Sequence, residues 1–300
     1  MKEKHNLTKK HPIIAILLLL LVAVLVISGS STIILMFAQA FRLVDTSQIS
    51  LVTNAAMPIF SILFMIIMKA WYSPEYKGTL KSGLSGKDTF FVCLPFIIYG
   101  VIVLVVQLIQ YNFYFKPTLG CALLALTAGF SEEVFFRVTV IPVALGFMKS
   151  KNRIWIIPIV TALLFGASHL SNISSGATMT NTLVQTISSA MAGFYFGVLF
   201  VCTGSAIPGI IMHCIYDFIG FAGDPSLNNG IMVSTMSTWE IVYFLIVTLL
   251  LSLCGIVMLK KIGYEKIQQV WNKKWSIGCR CSDRMTQNSS MEMTQNSPRL

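Results

Sequence analysis

Charge is what this sequence has least of. Only 12 of its 300 residues are acidic and four are histidine, and Asp, Glu, Lys and Arg together make up 11%, against roughly 25% in an average soluble domain. A water-soluble fold cannot hide the 55% of residues that are hydrophobic, which argues against an ordinary soluble enzyme. No Cys or His spacing has the form of a zinc knuckle. The basic residues are scattered over separate loops without interleaved aromatics, so no nucleic-acid partner is expected. The chain has no obvious internal repeat or pair of broken helices of the kind that builds carriers. Of seven cysteines, five lie inside apolar stretches, where a small apolar residue would serve equally well. The other two, Cys279 and Cys281, fall on the expected reducing side, against a structural disulfide.

What the chain does have is lipid-compatible length. Eight apolar segments, near residues 13–37, 51–68, 89–109, 118–141, 154–170, 181–202, 206–222 and 239–259, approach the length that crosses a hydrocarbon core of roughly 30 Å. The fifth and seventh are short. The expected fold is all-α: a polytopic transmembrane helical bundle of about eight spans in the cell membrane, with the lipid bilayer as its surroundings. The basic residues orient it. With a cytoplasmic amino terminus, nineteen Lys and Arg fall on the inner side, only Arg42 and Lys116 on the outer, and Arg137 within a span. That asymmetry is the one expected of cytoplasmic loops and places both termini in the cytoplasm. The net charge of +10 is thus mostly topology.

The organisation follows: a basic amino terminus at 1–12, the bundle at 13–259, a basic juxtamembrane segment at 260–276 and a polar tail at 277–300. The first apolar run, ending in Ala38-Gln39-Ala40, resembles a secretory signal with its cleavage site. Its apolar core exceeds the roughly 7 to 15 residues of such signals, so a retained anchor is expected. In 260–276, Ile262, Tyr264, Ile267, Val270 and Trp271 recur at helical spacing among lysines. An ordinary positive anchor is expected there, with a helix lying on an anionic inner leaflet as the other reading. The tail repeats Met-Thr-Gln-Asn-Ser at 285–289 and 293–297, a composition that cannot bury a core and is expected to be disordered.

Against this background six ionisable side chains stand out within the spans: Glu132, Glu133 and Arg137 in SEEVFFR, His169 in FGASH, and His213 with Asp217 in HCIYD. Charges in a bilayer core cost a few kcal/mol each by insertion scales, so they normally face a wet interior and mark chemistry or transport. Glu133 and Arg137, four apart with the acid first, suit an ion pair along one helix face. Glu132, turned about 100° from Glu133, is left to face a cavity as a candidate general base. His213 and Asp217 are again four apart. Counted at roughly 1.5 Å per residue from the inner helix ends, His169 comes out deeper than His213, so tilt or a late helix start is needed to bring them level. Cys214 points away from His213. Ser189, Gly193 and Gly197, four apart in the sixth span, are expected to allow close helix contact.

These residues, in order and in successive apolar helices over about 118–222, resemble the CAAX protease and bacteriocin-processing (CPBP, Abi) family of intramembrane endopeptidases. That family's pattern of Glu-Glu-x-x-x-Arg, Phe-x-x-x-His and His-x-x-x-Asn/Asp stands here as Glu132-Glu133-Val-Phe-Phe-Arg137, Phe165-Gly-Ala-Ser-His169 and His213-Cys-Ile-Tyr-Asp217. The resemblance implies hydrolysis of a peptide bond in a peptide or lipidated-protein substrate, dependent on glutamate and on no metal cofactor. The catalytic set would be Glu132, His169, His213 and Asp217. Glu132 would activate water with His169, His213 and Asp217 would face the oxyanion, and Glu133 and Arg137 would brace the site. An ionised aspartate only accepts hydrogen bonds, so Asp217 is expected to orient His213 rather than to donate.

Other readings use the same residues. Glu132, His169, His213 and Asp217 are also possible zinc ligands, and buried carboxylates with histidines also make proton relays of a proton-coupled transporter. A noncatalytic bacteriocin-immunity or scaffold protein would carry an idle site. The leading expectation is a multi-pass membrane protease with its cavity nearer the cytoplasmic side.

Overall fold

The computed structural model describes residues 6–42, 49–228, 231–232 and 234–276. After a helical turn at Asn6–Lys10 come α1 (Pro12–Ala40), α2 (Ile49–Tyr72), α3 (Gly86–Gln110), α4 (Leu119–Phe147), α5 (Arg153–Ser168), α6 (Met179–Thr203), α7 (Ile207–Gly223), α8 (Thr238–Ile262) and α9 (Tyr264–Lys274). A 3-10 segment, His169–Ser175, prolongs α5. Two residue pairs, Leu227–Asn228 and Ile231–Met232, form a minimal antiparallel hairpin. The all-α bundle expected from the sequence is what the chain forms, and it is a multi-pass membrane protein. Seven helices among the described residues are long and apolar enough to cross a membrane. Those seven include α5 together with its 3-10 prolongation; the apolar helix α7 falls short of them, its 17 residues spanning about 26 Å at 1.5 Å each.

The helix starts are written in the sequence. Ser85, Thr118, Thr178 and Ser237 each accept a hydrogen bond from the backbone N–H three residues on, occupying donors that a helix leaves open at its first turn. Ser237 and Glu240 complete a reciprocal capping box. At the other end of α6, Gly204 takes the left-handed conformation with φ 63°, which only glycine adopts without strain. The chain then reverses within three residues into α7.

Close packing is bought with glycine. A Cβ on Gly166 would lie 2.5 Å from the Thr186 carbonyl oxygen, and one on Gly197 would lie 3.0 Å from Pro158 Cα, so α5 and α6 meet almost backbone to backbone. Of the small-residue series in α6, Gly193 and Gly197 make the contact expected of them, while Ser189 lines a cavity instead.

The apolar spacing read in the segment after α8 has a protein partner. The segment is helical, and α9 turns Ile267, Val270 and Trp271 onto the protein, where all three are buried. Trp271 Nε1 donates to the Val201 carbonyl at 2.8 Å, and Trp275 Nε1 to that of Pro142 at 2.8 Å. Apolar side chains spaced every three or four residues look the same whether their partner is lipid or a bundle end. The tail at 277–300, with Cys279 and Cys281, lies outside the described residues, as do residues 1–5 of the basic amino terminus.

Candidate active site

The middle of α4 is not α-helical. Thr127–Glu132 and Val134–Val138 are wound as π-helix, a form that occurs mostly as single turns and is frequent at functional sites. Gly129 sits in the first of them, and a Cβ there would lie 2.4 Å from the backbone nitrogen of Cys214. Glycine therefore lets α4 lie directly on α7. That contact carries the two glutamates to His213.

Glu133 is the buried member of the pair. It is 2% exposed, and its Oε1 lies 3.2 Å from Arg137 Nη1 and 3.2 Å from His213 Nδ1. The ion pair read from the four-residue spacing is present. Arg137 is fully buried. It donates from Nη2 to the Gly193 carbonyl at 3.1 Å and lies over the Phe165 ring with 4.4 Å to the centroid. Glu132 has the opposite setting: its side chain is 33% exposed, lines the cavity, and has Oε2 3.8 Å from His213 Nε2.

His213 is the hub. Besides the two glutamates it meets Asp217, whose Oδ2 is 3.5 Å from Nε2, and it stacks on Phe196 with 4.7 Å between centroids. A carboxylate accepts, so Nδ1 donates to Glu133 and Nε2 faces Glu132 and Asp217. Glu133 at Nδ1 and Asp217 at Nε2 thus both contact the imidazole, Glu133 at the shorter distance. The sequence placed Glu133 with Arg137 alone because contact between helices is not encoded in local spacing.

His169 joins the same space from α5. Its Nδ1 lies 3.0 Å from the Phe165 carbonyl oxygen; a carbonyl only accepts, so Nδ1 carries the hydrogen and Nε2 is left as the basic nitrogen. Phe165 packs edge-on against both imidazoles, at 4.9 Å from His169 and 5.8 Å from His213. Both imidazoles flank the one Phe165 ring and line one cavity, so the offset counted from the helix ends does not keep them apart.

Glu132, His169, His213 and Asp217 all line one cavity of about 790 Å³. Sequence reasoning missed much of its wall. Gln185 and Ser188 of α6, and Tyr99 and Tyr216, which share a hydrogen bond at 3.1 Å, also face it; a polar residue every three or four positions along α6 was the available signal. No lysine or arginine among the described residues lines the cavity. Its position bears on the expectation of a cavity nearer the cytoplasmic side. It runs from the glutamates to the helix ends marked by Gln110, Asn172, Asn181, Asp224 and Glu240, opposite the end where the basic loops gather. As for zinc, no group of three or more His, Cys, Asp and Glu side chains among the described residues is arranged to hold a metal ion.

A multi-helix membrane protein with a glutamate and two histidines around an internal cavity is built like a membrane-embedded hydrolase. Residues 114–219 match the family described as type II CAAX prenyl endopeptidase Rce1-like, in agreement with the motif resemblance read from the sequence. The matched stretch holds α4 to most of α7, and so all six ionisable site residues. At family level it supports an intramembrane endopeptidase. No curated protein and no solved structure matches the chain.

Proposed function

We propose that the chain hydrolyses a peptide bond of a membrane-associated polypeptide by glutamate-activated water, without a metal. Glu132 takes a proton from a water that attacks the scissile carbonyl, with the basic Nε2 of His169 assisting. His213, held at Nδ1 by Glu133 and doubly protonated among the surrounding carboxylates, presents Nε2–H of the imidazolium to the developing oxyanion, where a fixed donor is most effective. Glu132 then returns its proton to the amine as the carbon–nitrogen bond breaks. Asp217 acts by its charge on the imidazole.

The observation that carries this reading is the division between adjacent glutamates, one locked into Arg137 and His213, the other exposed to the cavity beside the same imidazole. Glu132→Gln in proteoliposomes is the test. Loss of peptide release by roughly 10²- to 10⁴-fold is expected for removal of a general base, and full retention would end the assignment. Activity unchanged by exhaustive chelation is the expected result for the metal-free route.

A further inference from the structure

The cavity has a floor and a mouth, and the charge pattern says which side of the membrane each one faces. No lining residue comes from 69–95, 137–164, 197–212 or 249–276, the stretches that make up one end of the bundle. That end is sealed. Trp275 packs among Tyr72, Tyr76 and Phe147, with ring centroids 5.0, 4.5 and 4.7 Å away. Backbone hydrogen bonds stitch its loops together, from Gly83 to Thr203 at 2.7 Å, Ala206 to Thr79 at 2.9 Å and Lys77 to Lys274 at 2.8 Å. The sealed end also carries Lys69, Lys77, Lys81, Lys87, Lys149 and Lys151, and loops so enriched stay in the cytoplasm. The mouth lies at the other end, beside the loop holding Lys116 and rimmed by Gln110, Asn172, Asp224 and Glu240.

We propose that the cavity is entered from the noncytoplasmic side, so that its substrate is a polypeptide segment already across the membrane: an exported peptide or an outer loop of a membrane protein. This rests on the hydrolytic reading for the word substrate, but the direction of entry stands on the cavity and the charges alone. Thiol access tests it. Gln110→Cys at the mouth, Ser189→Cys within the cavity and Lys149→Cys at the sealed end are each treated with a membrane-impermeant maleimide, on intact cells and on sealed inverted vesicles, and the labelling of the otherwise unchanged protein is subtracted. Gln110→Cys and Ser189→Cys are expected to react on intact cells and to lose that reaction in inverted vesicles, with Lys149→Cys showing the reverse. Reaction of Ser189→Cys from the cytoplasmic side, or from neither, overturns the proposal. The readout is access rather than turnover: absence of peptide release by the unaltered protein would remove the hydrolytic reading and leave the labelling pattern, whereas reversed labelling would leave the chemistry and remove the direction.

Discussion

Glu132 and Glu133 are neighbours in the chain in opposite circumstances, and substitutions should separate them. Glu133→Gln removes the charge opposite a fully buried Arg137, and breaking a buried ion pair typically costs about 3–5 kcal/mol. A large drop in melting temperature is therefore expected for Glu133→Gln, measured in detergent. Glu132→Gln should leave that temperature nearly unchanged while turnover is lost. Asp217→Asn tests a finer point. If the carboxylate acts by its charge on His213, turnover falls clearly with little change in melting; unchanged turnover would assign position 217 a donor's task instead. The sequence made Glu132, Glu133 and Arg137 legible because spacing along one helix fixes which faces they share. The Glu133 to His213 contact was illegible, since it joins residues 80 positions apart.

Among the elements, α4 and α7 decide whether the site exists. Their approach depends on Gly129, where a methyl group would meet the backbone of α7 at 2.4 Å with no flexible side chain to yield. Gly129→Ala is expected to destabilise by about 1–3 kcal/mol, the usual cost of overpacking, and to lower turnover by moving Glu132 away from His213. Equal activity and melting would show that the helices slide apart freely. Helix positions were readable from apolar runs, and their starts from Ser and Thr caps. The π-helical winding of α4 was not: residues 127–138 carry no proline, and Gly129 alone does not announce an extra residue per turn. Likewise the apolar face of α9 was plain in the sequence, but its partner was not, because burial against Val201 of α6 and Pro142 of α4 joins residues 70 and 133 positions apart.

At the scale of the molecule, the two ends differ in charge and closure. Lys274 sits within the closed end, donating to the carbonyls of Gly78, at 2.9 Å, and Lys81, and burial pulls its ammonium down to about 8. An unfolded chain binds more protons at this residue than the folded one between about pH 8 and the free-lysine value of about 10.4. Lys274 therefore subtracts stability below about pH 8, and the penalty fades as pH rises through that window. Against a Lys274→Met protein, the melting temperature of the unaltered chain should gain as pH is raised from about 7 to 10. Parallel curves would contradict the shift. The seal that α9 helps to make has a further effect on traffic through the molecule. Were the cavity the place of cleavage as proposed, an end closed by Trp271 and Trp275 would make it a blind alley, with fresh polypeptide and severed fragments passing through the same end.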